Sequence, residues 1–144
     1  MTELTFLREV ALYYAAGLMD GEGSICLTRK HASEHRSPAV TFPSTTFQLV
    51  QYMKEHFGGC ISRKRKYKKR HLSSWIWALR GDAALEFLQL LASRLREPEK
   101  SRRAYLLVAR YKRVTPRNGR YTPDMLEQKT NFEREFFKYT RKKG

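Results

Sequence analysis

Acidic residues are scarce in this chain. Its 144 residues hold 14 Asp and Glu against 29 Lys and Arg, a formal charge of +15, which sets aside the near-neutral balance of an ordinary metabolic enzyme and calls for a polyanionic partner. A membrane surface and nucleic acid both qualify. Long apolar runs are missing too: the longest, Val10 to Met19, falls far short of the ~20 residues that cross a bilayer. The start, MTELTFLREV, carries acids and lacks the basic opening and small-residue cleavage site of a secretory signal. The expectation is therefore a soluble, intracellular protein with no membrane partner. Cysteine is reduced to Cys26 and Cys60 with no CxxC pair, and His31, His35, His56 and His71 do not fall at zinc-ligand spacing, which argues against a disulfide framework or a structural zinc. Internal repeats and low-complexity tracts are absent.

What is present is a regular change of period. From Leu4 to Asp20, the residues Leu7, Ala11, Ala15, Leu18 and Met19 recur at the three-and-four spacing of a buried helical stripe. That segment runs into Asp20-Gly21-Glu22-Gly23. From Gly23 the period becomes two, with Ile25 and Leu27 alternating against Ser24, Cys26 and Thr28, a strand with one buried face. A polar loop, RKHASEHRSP, precedes a second short strand, AVTF, with Val40 and Phe42 inward. Thr45 and Gln48 fit a capping box for a helix whose apolar face is Phe47, Val50, Met53 and Phe57 and whose end is Gly58-Gly59. Two strands, Cys60 to about Lys68 and Leu72 to Arg80, flank a basic connection, with Trp75, Trp77 and Leu79 on one face of the second. Asp82 can cap a helix striped by Leu85, Leu88, Leu91 and Leu95, and Pro98 suits the first turn of another that buries Ala104, Leu107, Val108 and Tyr111. TPRNGRYTP separates this from a charged helix running from about Pro123 to Tyr139. The order helix, strand, strand, helix, strand, strand, helix, with two helices appended, is an α+β layout with helices on one face of a sheet. It predicts one domain over 1–144, with a core of about 4–113 and a helical extension of about 122–140.

The other face of the sheet is left uncovered. With Ile25, Leu27, Val40, Phe42, Ile61, Trp75, Trp77 and Leu79 turned to the helices, it carries Ser24, Cys26, Thr28, Lys30, Ala39, Thr41, Ser62, Lys64, Lys66, Ser74, Ile76 and Arg80. No acid occurs from His56 to Gly81, and Ser62 to His71 alone holds seven Lys or Arg. An antiparallel ribbon of hydroxyls and cations suits the major groove of DNA. The same cations would also suit RNA phosphates, and a few of them would shield an exposed sheet edge. Thr28, Lys30, Thr41, Ser62, Lys64 and Lys66 are expected at or near bases, and Arg36, Arg63, Arg65, Lys68, Lys69 and Arg70 at phosphates. Ser24, Ser74, Ile76 and Arg80 complete the surface. A slip of register by one residue would exchange the two faces.

In a chain this basic, two carboxylates at the helix-strand junction need a reason, because acids at a helix carboxyl end are opposed by the macrodipole. Ala16, Gly17, Asp20 and Gly21 share one helical face, where small residues let a second helix approach closely. The nine residues AAGLMDGEG, Ala15 to Gly23, resemble the signature of the LAGLIDADG homing endonucleases. Gly17, Leu18, Asp20 and Gly23 are in register, and Glu22 stands where that family usually has its second aspartate. VTF at Val40 to Phe42 and FGG at Phe57 to Gly59 resemble later landmarks of the family, and the resemblance runs from about Leu4 to Tyr111.

The resemblance implies an αββαββα fold with an antiparallel four-stranded, saddle-shaped DNA-binding sheet. It implies a homodimer packed through Ala16, Gly17, Asp20 and Gly21, with the two Glu22 side chains side by side. Carboxylates held together against DNA require divalent cations, magnesium foremost, with manganese or calcium able to substitute in binding, held by Glu22 and the Gly21 carbonyl. The implied reaction hydrolyses one phosphodiester on each strand of a long, pseudo-palindromic duplex site and leaves staggered 3′ overhangs. The family's lysine beside the site falls on Lys100, and a polar residue near the start of the second helix, often glutamine in relatives, falls on Thr46; Asp20 is assigned to support the helix end. A second reading keeps the fold without cleavage, as a DNA-binding regulator or a splicing cofactor for intron RNA, whose usual mark is loss of the motif acid that Glu22 retains. A structural basic protein of a ribosome-like assembly would account for the charge but not for Gly17, Asp20, Gly21 and Glu22 together.

Overall fold

The computed structural model describes residues 2–64 and 72–138. In chain order the elements are α1 (Glu3–Glu22), β1 (Ser24–Thr28), β2 (Ser37–Ser44), α2 (Phe47–Phe57), β3 (Cys60–Lys64), β4 (Ser74–Arg80), α3 (Gly81–Leu91), α4 (Pro98–Arg110) and α5 (Pro123–Phe137), with 3-10 turns at Ala92–Arg94 and Lys112–Val114. The four strands form one antiparallel sheet in the order β1-β2-β4-β3. This is the α+β, αββαββα arrangement expected, with the helices on one side of the sheet. Among the described residues no helix is long and apolar enough to cross a membrane.

The sheet's inner rows form the floor of the core. Ile25 pairs across Val40 with Leu79, and Phe42 across Trp77 with Ile61, and α1, α2 and α3 cover them with Leu12, Met19, Val50, Met53, Leu85, Leu88 and Leu91. Trp77, the largest fully buried side chain, donates its indole N–H to the Gly58 carbonyl at 2.7 Å. That contact draws the end of α2 onto β4 so closely that a Cβ on Gly59 would lie 2.5 Å from the Ala78 carbonyl oxygen, at a φ of +90°. Only glycine fits there.

Several local expectations are corrected. Leu7 is exposed and Leu18 half-buried, because the first turns of α1 stand clear of the core, while Ala16 joins the buried set. The Thr45–Gln48 capping box does not form: the Ser44 hydroxyl accepts from the Thr46 N–H at 2.9 Å, and α2 starts at Phe47 with no side-chain cap. Asp82 lies inside the first turn of α3 rather than capping it. At α4 the cap is Glu97, whose carboxylate accepts from the Lys100 N–H at 2.7 Å, with Pro98 in the first turn.

The α4–α5 pair closes the outer edge of β1. Phe132 and Phe136 of α5 are fully buried, with Arg110 lying over the first ring and Arg103 over the second. Arg103 donates to the Ile25 carbonyl at 2.9 Å and Arg36 to the Leu27 carbonyl at 3.3 Å. The acceptors that an edge strand would leave unpaired are thus met by guanidinium groups. Lys129 of α5 is buried at 2% exposure, with its ammonium 2.6 Å from the Thr115 hydroxyl.

Candidate functional site

The site is built where α1 ends. Four carbonyls at a helix carboxyl end have no partner inside the helix. Here the Met19 carbonyl accepts from the Gly23 N–H at 3.0 Å and from the Lys100 ammonium at 2.9 Å, and the Asp20 carbonyl accepts from the same ammonium at 2.8 Å. A cation at this end is also favoured by the helix dipole. The carboxylate of half-buried Asp20 accepts from the Arg96 N–H, 3.1 Å from each oxygen, and from the Glu97 N–H at 2.9 Å. Glu97 in turn caps α4, whose first turns carry Lys100. A closed circuit of polar contacts therefore ties the start of α4 to the end of α1 and sets the Lys100 ammonium on the Asp20–Gly21 peptide. Gly23 completes the junction, since a Cβ there would lie 2.4 Å from the Met19 side chain.

Glu22 itself is exposed. With Gly17, Leu18 and Gly21 it borders an open cavity of about 550 Å³ whose opposite wall is Phe42, Pro43, Ser44, Thr45, Leu49, Lys64 and Ser74. The cavity lies between the end of α1 and the neighbouring end of the sheet. Arg102 and Arg103 flank Glu99 one turn along and hold its carboxyl below the ordinary glutamate range, chiefly through the Arg102 hydrogen bond.

The side of α1 opposite the core is apolar and uncovered. Phe6, Val10 and Tyr13 are 56%, 49% and 61% exposed, and they continue through Gly17 to Gly21, where a Cβ would meet nothing within 4 Å. A stripe of this kind, bare at its acidic end and aromatic at the other, lets another helix come close beside Glu22. One rim is Tyr14 packed edge-on against Tyr52, at a ring distance of 4.9 Å. The other is Arg94, which pairs with Glu9 at 2.7 Å and lies over Tyr13.

On the sheet, register and face agree with the alternation in the sequence. Ser24, Thr41, Ala78 and Cys60 form one row of the uncovered face; Cys26, Ala39 and Arg80 form the next outward, and Thr28 with Ser37 the last. Toward the other end lie Pro43, Ile76 and Ser62, then Ser74 and Lys64. The surface is of small and hydroxyl side chains with Arg80 and Lys64 standing out of it. Ala39, in the middle of its row, is buried all the same.

The expected site residues are distributed as follows. Glu22, Gly21, Gly17 and Lys100 come together at the α1 end. Ala16 does not belong to the open stripe, being 2% exposed and packed in the core, and Asp20 is committed to the α4 backbone; Phe6, Val10 and Tyr13 take their places. Thr46 is exposed at the head of α2 but does not border the cavity, whereas Ser44 and Thr45 do. Lys30 is exposed just beyond β1. Arg36 is bound to the β1 edge rather than the open face, and Arg63 lies on the helix side of the sheet and donates to the Ser73 hydroxyl at 3.0 Å. Arg65, Lys66, Lys68, Lys69 and Arg70 lie outside the described residues. The aromatic stripe is present in the sequence as the three-and-four spacing of Phe6, Val10 and Tyr13, on the side of α1 away from Ala11 and Ala15.

The oxygen donors at Glu22 and Gly21 suit a hard divalent cation, and they stand at the negative end of a helix dipole. Among the described residues no group of three or more His, Cys, Asp or Glu could hold a metal ion.

No family model matches this sequence, and no curated protein does. Solved structures do match. I-Vdi141I, an archaeal intron-encoded homing endonuclease solved in complex with DNA, superposes with a TM-score of 0.59 at 16% identity, over 94% of this chain and 87% of that one. I-TnaI, a homing endonuclease, gives 0.56 at 13% identity over 86% of each chain. I-SmaMI, solved on an uncleaved DNA target with calcium ions, gives 0.57 at 19% identity over 88% of this chain but 45% of its own. This chain therefore spans nearly the length of the first two and about half that of the third. It has the fold of the LAGLIDADG homing endonucleases.

Proposed function

We propose that the chain is a DNA endonuclease of the homing type that acts as a pair of identical copies. The observation that carries this reading is one exposed carboxylate, Glu22, at the bare end of an apolar, glycine-lined helix face. It stands at the inner end of a sheet surface made of hydroxyls and cations. One copy has half of the donors a metal-assisted nuclease needs, and pairing through Phe6, Val10, Tyr13, Gly17 and Gly21 brings the second half alongside. Two symmetry-related halves read a long pseudo-palindromic duplex, with Ser24, Thr28, Lys30, Thr41, Ser62, Lys64, Ser74, Ile76 and Arg80 facing the groove.

In each copy Glu22 and the Gly21 carbonyl would hold a divalent cation, magnesium foremost and manganese or calcium in its place for binding, which supplies Lewis-acid chemistry at the scissile phosphate. Lys100 keeps the helix end in position and adds positive potential where charge develops. The sheet orients the duplex so that one phosphodiester per strand meets each Glu22, giving staggered cuts with 3′ overhangs. Thr45 or Ser44 takes the polar role expected of Thr46.

The test is to incubate the protein with magnesium and a randomised pool of long duplexes and to sequence any ends that form, with Glu22→Gln in parallel. Staggered ends centred in one nearly palindromic site, lost in Glu22→Gln while duplex affinity holds or rises, are the expected result. Cleavage by the variant at the wild-type level would refute the role of Glu22. Selective binding without new ends under several divalent ions would assign the fold to recognition alone, as a regulator or an intron-RNA splicing cofactor.

A further inference from the structure

The sheet face and the α1 end leave one group of cations unused. Between α4 and α5, Lys112, Arg113, Arg117 and Arg120 fall within nine residues, all exposed, and no acid occurs between Glu99 and Asp124. Their side chains make no hydrogen bond or ion pair among the described residues. Like charges at this density repel one another unless an anion joins them.

The turn that carries them is held in place. The Gly119 N–H donates to the Pro116 carbonyl at 3.3 Å, and the Arg120 N–H donates to the Asn118 side-chain oxygen at 3.0 Å. Thr115 is pinned by the buried Lys129. Tyr121, at the end of the turn, packs against His35 at a ring distance of 4.1 Å. His35 belongs to the β1–β2 loop, which lies at the end of the sheet farthest from Glu22, because β1 leaves the α1 junction at Ser24 and β2 returns to it at Ser44. The basic turn therefore adjoins the outer end of the uncovered sheet face, the end where Lys30 and Arg80 also stand.

We infer that this turn is a phosphate clamp for double-stranded DNA leaving the outer end of the sheet face. The inference rests on the reading of that face as the DNA surface. The clamp contacts backbone and no base edge: it offers guanidinium and ammonium groups without an exposed aromatic platform, since Tyr111 and Tyr121 are half-buried against α5.

The experiment is a fluorescence-anisotropy titration of a generic duplex of about 40 base pairs at several KCl concentrations. It compares wild type, Arg117→Ala/Arg120→Ala, and a control of equal charge loss on the helix side, Arg8→Ala/Lys54→Ala. The clamp pair is expected to lower the slope of log K against log salt by about four, two phosphate contacts in each of the two copies, and to weaken binding at least tenfold, while the control stays within about twofold of wild type. Equal slopes for the two variants would overturn the clamp alone. A wild type that binds no duplex would overturn the DNA reading of the sheet and the clamp with it. A loss seen with an RNA probe and not with duplex DNA would overturn the clamp as a DNA site.

Discussion

Lys129 offers a quantitative check on the packing of α5. It is buried on the inner side of the helix, with Thr115 as hydrogen-bond partner, Tyr111 at 4.2 Å and Tyr121 at 6.0 Å from its ammonium, and Glu133 the acid that acts on it. Burial pulls its pKa from 10.5 down to about 8, a difference equivalent to roughly 3 kcal/mol. Below pH 8 the group is charged in both folded and unfolded chains and the full cost of burying the charge stands. Between pH 8 and 10.5 the unfolded chain binds a proton that the folded one does not, so stability rises with pH. Lys129→Met keeps the shape, removes the charge and gives up the Thr115 bond, worth about 1 kcal/mol. The variant should therefore be more stable than wild type at pH 7 by about 2 kcal/mol, or roughly 4–8 °C in melting temperature. That advantage should shrink steadily as pH is raised from 8 to 10. Thermal unfolding followed by circular dichroism at pH 7, 8, 9 and 10 measures it, and the difference between the two proteins removes the opposite trend of Tyr111 and Tyr121, whose phenols burial raises. A variant that melts below wild type at pH 7, or a gap that does not change with pH, would refute the reasoning.

Other outcomes follow from single contacts. A Cβ at Gly17 meets nothing within 4 Å, so Gly17→Leu should fold normally yet sediment as a monomer, whereas wild type should be a dimer at micromolar concentration; a monomeric wild type in light scattering removes the pairing argument. Asp20→Ala strips the acceptor from the Arg96 and Glu97 N–H groups and should cost about 1–3 kcal/mol in urea unfolding, while Lys100 keeps its bonds to the Met19 and Asp20 backbone carbonyls. Gly58→Ala, at φ +75° and ψ −154° but in open space, should cost about 1–3 kcal/mol from backbone strain alone, and Gly59→Ala should cost more, since its Cβ would also meet the Ala78 carbonyl at 2.5 Å.

The period-two alternation in the strands carried most of the architecture: once Ile25, Leu27, Val40, Phe42, Trp77 and Leu79 were inward, the open face followed, because a strand has no third side. Helix faces were less determinate. Ala16 lies about 100° around α1 from Gly17, so smallness and proximity in sequence did not separate a core residue from an exposed one. At the head of α2 the spacing of Thr45 and Gln48 fits a capping box, but the Ser44 hydroxyl takes the Thr46 N–H and the helix starts at Phe47 with no side-chain cap. Long-range partners were invisible: nothing local marks Asp20 as the acceptor for residues 76 and 77 positions away, or Arg36 as a plug for an edge strand instead of a ligand for phosphate. The burial of Lys129 runs against its type and depends on a turn and two tyrosines that only the fold assembles.

The junction between α1 and α4 also orders events during synthesis. All four strands are complete once Arg80 has been made, but their inner face is covered only when α3 follows, and the β1 edge only when α4 supplies Arg103. The Lys100 tether and the Asp20 anchor close a loop of some eighty residues, and neither can exist until α4 has emerged. A chain cut short after Arg80 would therefore carry every strand of the proposed DNA surface but neither the later helices that hold those strands together nor the tether that fixes the end of α1.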